Sequence, residues 1–263
     1  MEHSKYIESQ KRRRCVADIC LPFAFCFYSH RAWHLSFLKT QLERAGYTTS
    51  DVELPGAGAT APNYPTGGLA ADVSAIKSAL ESAASEHDLL VPVFHSYGGV
   101  CGSEAVAELS ELSKQKIHRI IYLAALIVPA GHALTTHSDG KLAPWGRETH
   151  EGKIAYVPDP TACFYHDVPA DRAKEASARC VPHATSCFHE ETRHGGWKLF
   201  PRTYIFCKDD RAVSVEIQRT FFEHMTEEER SGWDFEEVDA SHSPFLSKPK
   251  ETAELILRAV GEK

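Results

Sequence analysis

Short apolar runs alternate with amphipathic stretches along most of the chain. FAFCFY (23–28), YTTSDVEL (47–54), DLLVPVFH (88–95), HRIIYLAA (118–125), RTYIFC (202–207) and DFEEVDA (234–240) carry the β-branched and aromatic enrichment of strands. Between them LSFLKTQLERAG, LAADVSAIKSALESAASE and GGVCGSEAVAELSELSKQ repeat apolar residues at helical spacing, and PKETAELILRAVG closes the chain in the same way. The alternation predicts an α/β class fold: a mostly parallel central sheet with helices on both faces.

The rhythm breaks between about Pro129 and Lys198. That stretch is rich in Pro, Gly, His and aromatic residues and shows no good strand; within it DVPADRAKEASARCV (167–181) reads as helical. An insertion here would form a helical cap over the carboxyl edge of the sheet, where open α/β sheets bind ligands. Its aromatic residues, Trp145, Tyr156, Phe164, Tyr165, Phe188 and Trp197, suit a lid over an apolar ligand. Residues 1–22 read as an N-terminal extension and 23–263 as a single domain with the cap inserted at about 129–198.

Composition narrows the partners. The 263 residues carry a net charge of −7, with a pI of about 6.1, so the basic face that nucleic acid or an anionic membrane would require is not expected. Eight cysteines are scattered without a CxxC pair, which fits reduced thiols in a cytoplasmic protein better than a disulfide framework or a thiolate zinc site. Lys11, Arg12, Arg13 and Arg14 precede an apolar run in the manner of a signal peptide. Asp18 interrupts that run and no small-x-small cleavage site follows, so FAFCFY reads as a buried strand.

The chemistry concentrates at VFHSYGGVCGSE (93–104). A strand ending at His95, then Ser96, then Gly98 and Gly99 opening a helix, is the setting of a nucleophile held on a sharp turn. Phe94 stands where the G-x-S-x-G pattern has its first glycine, so the match is degenerate, and a serine at a helix start can equally be an N-cap. Two later segments favour the nucleophile. Asp209 and Asp210 follow the run ending at Cys207, and His242 follows the next strand. Ser after a central strand, with Asp and then His after later strand ends, is the arrangement expected of an acyl-transfer triad. Spacing alone leaves Asp209 and Asp210 both open as the acid.

With HSYGG (95–99), Cys207–Arg211 followed by Val213 and Gln218, and HSPFLSKP (242–249), the chain from about Phe23 onward resembles the α/β-hydrolases of the alpha/beta hydrolase-1 type. It is similar to a bacterial and fungal group with an HSYGG elbow, and more distantly to plant methylesterases and hydroxynitrile lyases. The resemblance implies the α/β-hydrolase fold and selects Asp210, three residues after Cys207, as the acid. ELPGAGAT (53–60) resembles a family loop and lacks the third glycine of a dinucleotide fingerprint. His30-Arg31-Ala32-Trp33 matches the family's HGAW oxyanion loop, with Arg31 in place of glycine. The resemblance therefore implies that the backbone N–H groups of Ala32 and Tyr97 form the oxyanion hole.

The expected activity is hydrolysis of a carboxylic ester, thioester or lactone of a small, mostly apolar molecule, such as a secondary metabolite. It would run through Ser96, His242 and Asp210 with neither metal nor organic cofactor. Arg31, Trp33, His95 and Trp197 are the expected substrate contacts. HEETRH (189–194) spaces its histidines five apart, off one helical face, which argues against a zinc protease. A hydroxynitrile lyase would carry lysine after the histidine, where this chain has Ser243. A ligand-binding protein that keeps the fold without turnover is the alternative from another class.

Overall fold

A computed structural model describes residues 19–25, 32–58, 67–149, 151–223 and 225–261. Arg31, in the candidate oxyanion loop, and the N-terminal segment 1–18 lie outside the described residues. The central sheet has seven strands: β1 (Ile19–Phe25), β2 (Thr48–Val52), β3 (Leu89–Leu90), β4 (Val93–His95), β5 (Ile120–Leu123), and, after a long interval, Arg202–Cys207 and Trp233–Val238. Its order runs from Trp233–Val238 through Arg202–Cys207, β5, β4 and β1 to β2, with β3 pairing β1. Every neighbouring pair is parallel. All carboxyl ends therefore face one edge, and β4, flanked by β1 and β5, delivers its carboxyl end to the middle of it.

The expected strand 88–95 is split. Pro92 accepts the Ile121 N–H at 2.9 Å but has no N–H to give, so the ladder lapses between β3 and β4. The first strand starts earlier than the apolar pattern suggests: Cys20–Ala24 pair with Thr48–Val52. Residues 19–22 thus belong to the sheet rather than to an extension, and 26–28 lie outside the described residues.

The helices are α1 (Ala32–Arg44), α2 (Leu69–Glu86) and α3 (Gly98–Ala107), with Val215–Glu223 and Pro249–Ala259 later in the chain. Leu69, Val73, Ile76 and Leu80 form the buried stripe of α2. At such positions each large apolar side chain contributes about 1.5–3 kcal/mol by leaving water. α3 is buried along its whole length from Gly98 to Val106, as a helix behind a central strand must be. The single amphipathic stretch 98–115 resolves into α3 and a short second helix, Glu111–Lys114, which Ser110 caps by accepting the Ser113 N–H.

Between β5 and Arg202–Cys207 the chain forms three very short strands, β6 (Arg147–Thr149), β7 (Ile154–Tyr156) and β8 (His183–Ala184), in a small antiparallel sheet. Sequence patterning shows no strand there because none exceeds three residues. A helix, α4 (Ala170–Ala178), lies inside the stretch predicted as helical, and the remaining central strands are β9 (Arg202–Cys207) and β10 (Trp233–Val238). Among the described residues no helix is long and apolar enough to cross a membrane.

Candidate active site

Ser96 follows β4 directly and sits at φ +53°, the left-handed region that a residue with a Cβ enters only at a cost. Surrounding bonds hold it there: its carbonyl accepts the N–H of Gly99 at 3.0 Å and of Leu126 at 2.9 Å. A side chain at Gly99 would collide with the Leu126 carbonyl, so glycine permits the close approach of α3 to the chain leaving β5. The degenerate position is also accommodated. A Cβ on Gly102 would lie 2.6 Å from ring carbons of Phe94, so Phe94 fits before the turn because α3 has no side chain at 102. The motif has moved its small residue into the helix.

His242 follows β10, and its Nε2 lies 3.0 Å from Ser96 Oγ. Its Nδ1 lies 2.7 Å from Asp210 Oδ2, just past β9. A carboxylate only accepts, so Nδ1 carries the hydrogen and Nε2 is left to accept from the serine hydroxyl. Asp210 is fixed on both oxygens. Oδ1 accepts the N–H of Ala212 at 2.7 Å and of Val213 at 2.9 Å, and Oδ2 also accepts from Gln218 Nε2 at 3.3 Å. Gln218 is itself pinned by both backbone groups of Cys207 and by the Val213 carbonyl. Ser96 and His242 are fully buried and Asp210 nearly so. Asp209 faces outward, 65% exposed, and pairs with His166 at 3.0 Å. It is Asp210, then, that reaches His242.

Two of the expected substrate contacts are corrected. Trp197 is buried against Trp233, ring centroids 5.9 Å apart, with the Arg202 guanidinium 5.4 Å from its ring. Arg202 and Trp233 begin β9 and β10, so Trp197 belongs to the amino edge, opposite Ser96. His95 turns inward: its Nε2 donates to the His242 carbonyl at 2.8 Å and its ring stands edge-on to Phe245. Burial, and then the charge of His242, push its pKa well below the ordinary histidine value, so it holds the backbone of His242 as a neutral ring. Trp33, half-buried on α1, lies 4.7 Å from the guanidinium carbon of Arg179, at the end of α4.

Tyr97 caps α3, and the helical ladder starts only at Gly99 N–H, which leaves the Tyr97 N–H among the orphan donors of a helix start. Ala32 is the first residue of α1. Of the cap aromatics, Trp145 and Phe188 line a cavity of about 410 Å³ together with Leu126, Leu134, Leu142 and Val213. Phe164 lies 5.4 Å, ring to ring, from His242, whereas Tyr156 points outward. Sequence reasoning did not assign Gln218 its role, or Ser241, which donates to the Phe164 carbonyl and fixes the loop before His242. The resemblance singles out Gln218 without giving it a role; Ser241 could have been marked only by its place next to His242.

The profile of the Alpha/beta hydrolase family matches residues 25–255. Similar curated proteins include "Probable hydrolase R7" of Phoma sp., 29% identical over 84% of this chain and 89% of its own length. Methylesterase 7 of Arabidopsis thaliana is 26% identical over 95% of this chain and 96% of its own. Among solved structures, a pyrethroid hydrolase from Sphingobium faniae JZ-2 superposes with a TM-score of 0.71 at 18% identity, covering 93% of this chain and 97% of that one.

Proposed function

The chain belongs to the Alpha/beta hydrolase family, and from that premise we propose that it is a serine hydrolase cleaving a carboxylic ester, or a related thioester or lactone, of a small and mostly apolar molecule. The observation that carries this reading is the continuous relay Ser96–His242–Asp210, with contacts of 3.0 and 2.7 Å, on a serine held at positive φ.

In this reaction Ser96 Oγ attacks the carbonyl carbon while its proton passes to His242 Nε2. Asp210 keeps the imidazole in the tautomer that can take that proton and stabilises the imidazolium that results. The oxygen that becomes negative is received by the backbone N–H groups of Tyr97 and Ala32. The imidazolium then protonates the departing alkoxide or thiolate, leaving an acyl-serine. Water, deprotonated by the same ring, attacks the acyl carbon and returns Ser96 with release of the acid.

Two further points support the apolar ester. The 410 Å³ cavity is walled mostly by hydrocarbon and adjoins the relay, since Leu126 N–H bonds the Ser96 carbonyl and Val213 N–H bonds Asp210. The relatives include a methylesterase. The test is a fluorophosphonate probe with a panel of p-nitrophenyl esters of graded acyl length. Wild type should be labelled on Ser96 and turn over esters. Ser96→Ala should lose the label and about three or more orders of magnitude in rate. Full labelling of Ser96→Ala would reject the assignment.

A further inference from the structure

Behind Ser96 lies a second polar cluster that the reaction above does not use. Asp72 on α2, His183 on β8 and Cys187 in the short helix Ser186–His189 are all buried and meet around the hydroxyl of Tyr97. Asp72 is separated from Cys187 by 115 residues. Its Oδ1 accepts the Gly56 N–H at 2.7 Å, and its Oδ2 accepts the Tyr97 hydroxyl at 3.0 Å. Cys187 Sγ lies 3.4 Å from the same Oδ2, and His183 Nε2 lies 3.6 Å from it. The Tyr97 ring stands edge-on to both His183 and Phe188, at centroid distances of 5.0 and 5.7 Å. Packing is tight enough that a Cβ on Gly56 would sit 2.5 Å from Cys187 Sγ and 2.6 Å from Asp72 Oδ2.

The ligand atoms of Asp72, His183 and Cys187 lie within 4.8 Å of one another, a spacing that a transition metal could bridge. Asp72 is satisfied without one, while the two ring nitrogens of His183 are buried with no hydrogen-bond partner among the described residues. Both oxygens of Asp72 already face protein donors, and burial pushes the Cys187 thiol and the Tyr97 phenol up, which keeps their protons in place as donors. What the cluster grips is the far end of Tyr97, whose own N–H immediately follows the strained Ser96. An oxyanion donor acts only if it is aimed to within a fraction of an ångström. A side chain held at its far end as well as at its backbone keeps that aim, since the phenol donates to a buried carboxylate that the Gly56 N–H fixes in turn.

We propose that Asp72, acting through the Tyr97 hydroxyl, is a positioning residue for the oxyanion N–H of Tyr97, and that Cys187, donating to the same carboxylate oxygen, ties this positioning to the cap. The proposal rests on the serine-hydrolase reading. It gives Tyr97 two separate parts, a backbone donor at the reacting carbonyl and a phenol that anchors that donor.

The test compares Tyr97→Phe and Asp72→Asn with wild type in the full chain. Four quantities are read: kcat and KM on a p-nitrophenyl ester, affinity for a trifluoromethyl ketone, and affinity for the carboxylate product. The ketone adds Ser96 to its carbonyl and places a full oxyanion in the hole; the product does not. Expected for both variants is a fall of about ten-fold or more in kcat and an equal fall in ketone affinity. KM and product affinity should stay within about two-fold, and the double variant should be no worse than Asp72→Asn, because both act through one bond. Tyr97→Phe keeps the ring packing, so it serves if Asp72→Asn does not fold. Unchanged kcat and ketone affinity in Tyr97→Phe would overturn the proposal alone. So would a parallel loss of product affinity, the mark of general loosening, or stoichiometric zinc retained by dialysed wild type. A wild type that forms no ketone adduct would remove the hydrolase reading and this proposal together.

Discussion

Replacing Asp210 with asparagine is the sharpest probe of the relay, because the surrounding bonds dictate how the amide must sit. Oδ1 receives two backbone N–H groups, from Ala212 and Val213. The amide oxygen must take that place, since an NH2 there would oppose two donors. The NH2 then falls at the Oδ2 position, facing His242 Nδ1 and the donating Nε2 of Gln218. To meet an NH2, Nδ1 must become the acceptor, which moves the imidazole hydrogen to Nε2, opposite Ser96 Oγ. A ring in that tautomer cannot take the serine proton. Loss of the carboxylate in triads of this kind costs on the order of ten-thousand-fold, about 5 kcal/mol of transition-state stabilisation. Asp209→Asn instead alters an exposed pair with His166 and should change the rate by less than about two-fold. The assay is kcat/KM on a p-nitrophenyl ester, with circular dichroism melts to confirm that both variants fold. An Asp210→Asn enzyme within ten-fold of wild type, or a reversed ranking, would refute the tautomer argument.

Further expectations concern stability and reactivity. Gly102→Ala should destabilise by about 1–3 kcal/mol, a drop of several degrees in thermal melts, because its Cβ would press on the buried Phe94 ring; adding Phe94→Leu should restore part of the loss. Since His95 in the folded protein holds its pKa well below the ordinary value, the unfolded chain alone takes up that proton. The contribution is intact above about pH 6.5 and is lost as pH falls below it, at up to about 1.4 kcal/mol per pH unit. Urea titrations of wild type and His95→Gln between neutral and mildly acidic pH should differ in slope by that amount. Burial also pushes up the thiols of Cys101, Cys163, Cys187 and Cys207, so native-state alkylation at neutral pH, read by mass spectrometry, should spare all four while the unfolded chain reacts.

How much of this was legible beforehand follows from how local each signal is. The strands around Ser96, Asp210 and His242 announce themselves because a strand end followed by a polar residue is a short-range pattern. Choosing between Asp209 and Asp210 required the family resemblance, since adjacent residues differ only in the face they turn to. The compensation between Phe94 and Gly102 spans a strand and a helix and looks like a defect when the motif is read as five letters. Trp197 was misplaced because an aromatic in a cap segment says nothing about which sheet edge the chain is returning to. The three cap strands escaped because two or three residues carry no period. Asp72, His183 and Cys187 share no spacing at all; only the fold brings them to Tyr97.

The cap's return to the sheet has a practical consequence for anyone who would exchange it. Glu104, buried on α3, accepts the consecutive N–H groups of Arg193 and His194 on its two carboxylate oxygens, at 2.6 and 2.8 Å. Next to them, Gly196 packs its backbone onto the Ser103 carbonyl so closely that no side chain fits. The last part of the segment is thus riveted to the helix that carries the elbow. A graft of 129–200 from a relative would keep both rivets only if it brought glycine at 196 and met a carboxylate at 104, since any residue at 103 presents the carbonyl; the transplantable unit is the segment plus Glu104. Recombination that respects this seam can vary the chamber wall at Leu134, Leu142 and Trp145 while the joint that braces Ser96 stays intact.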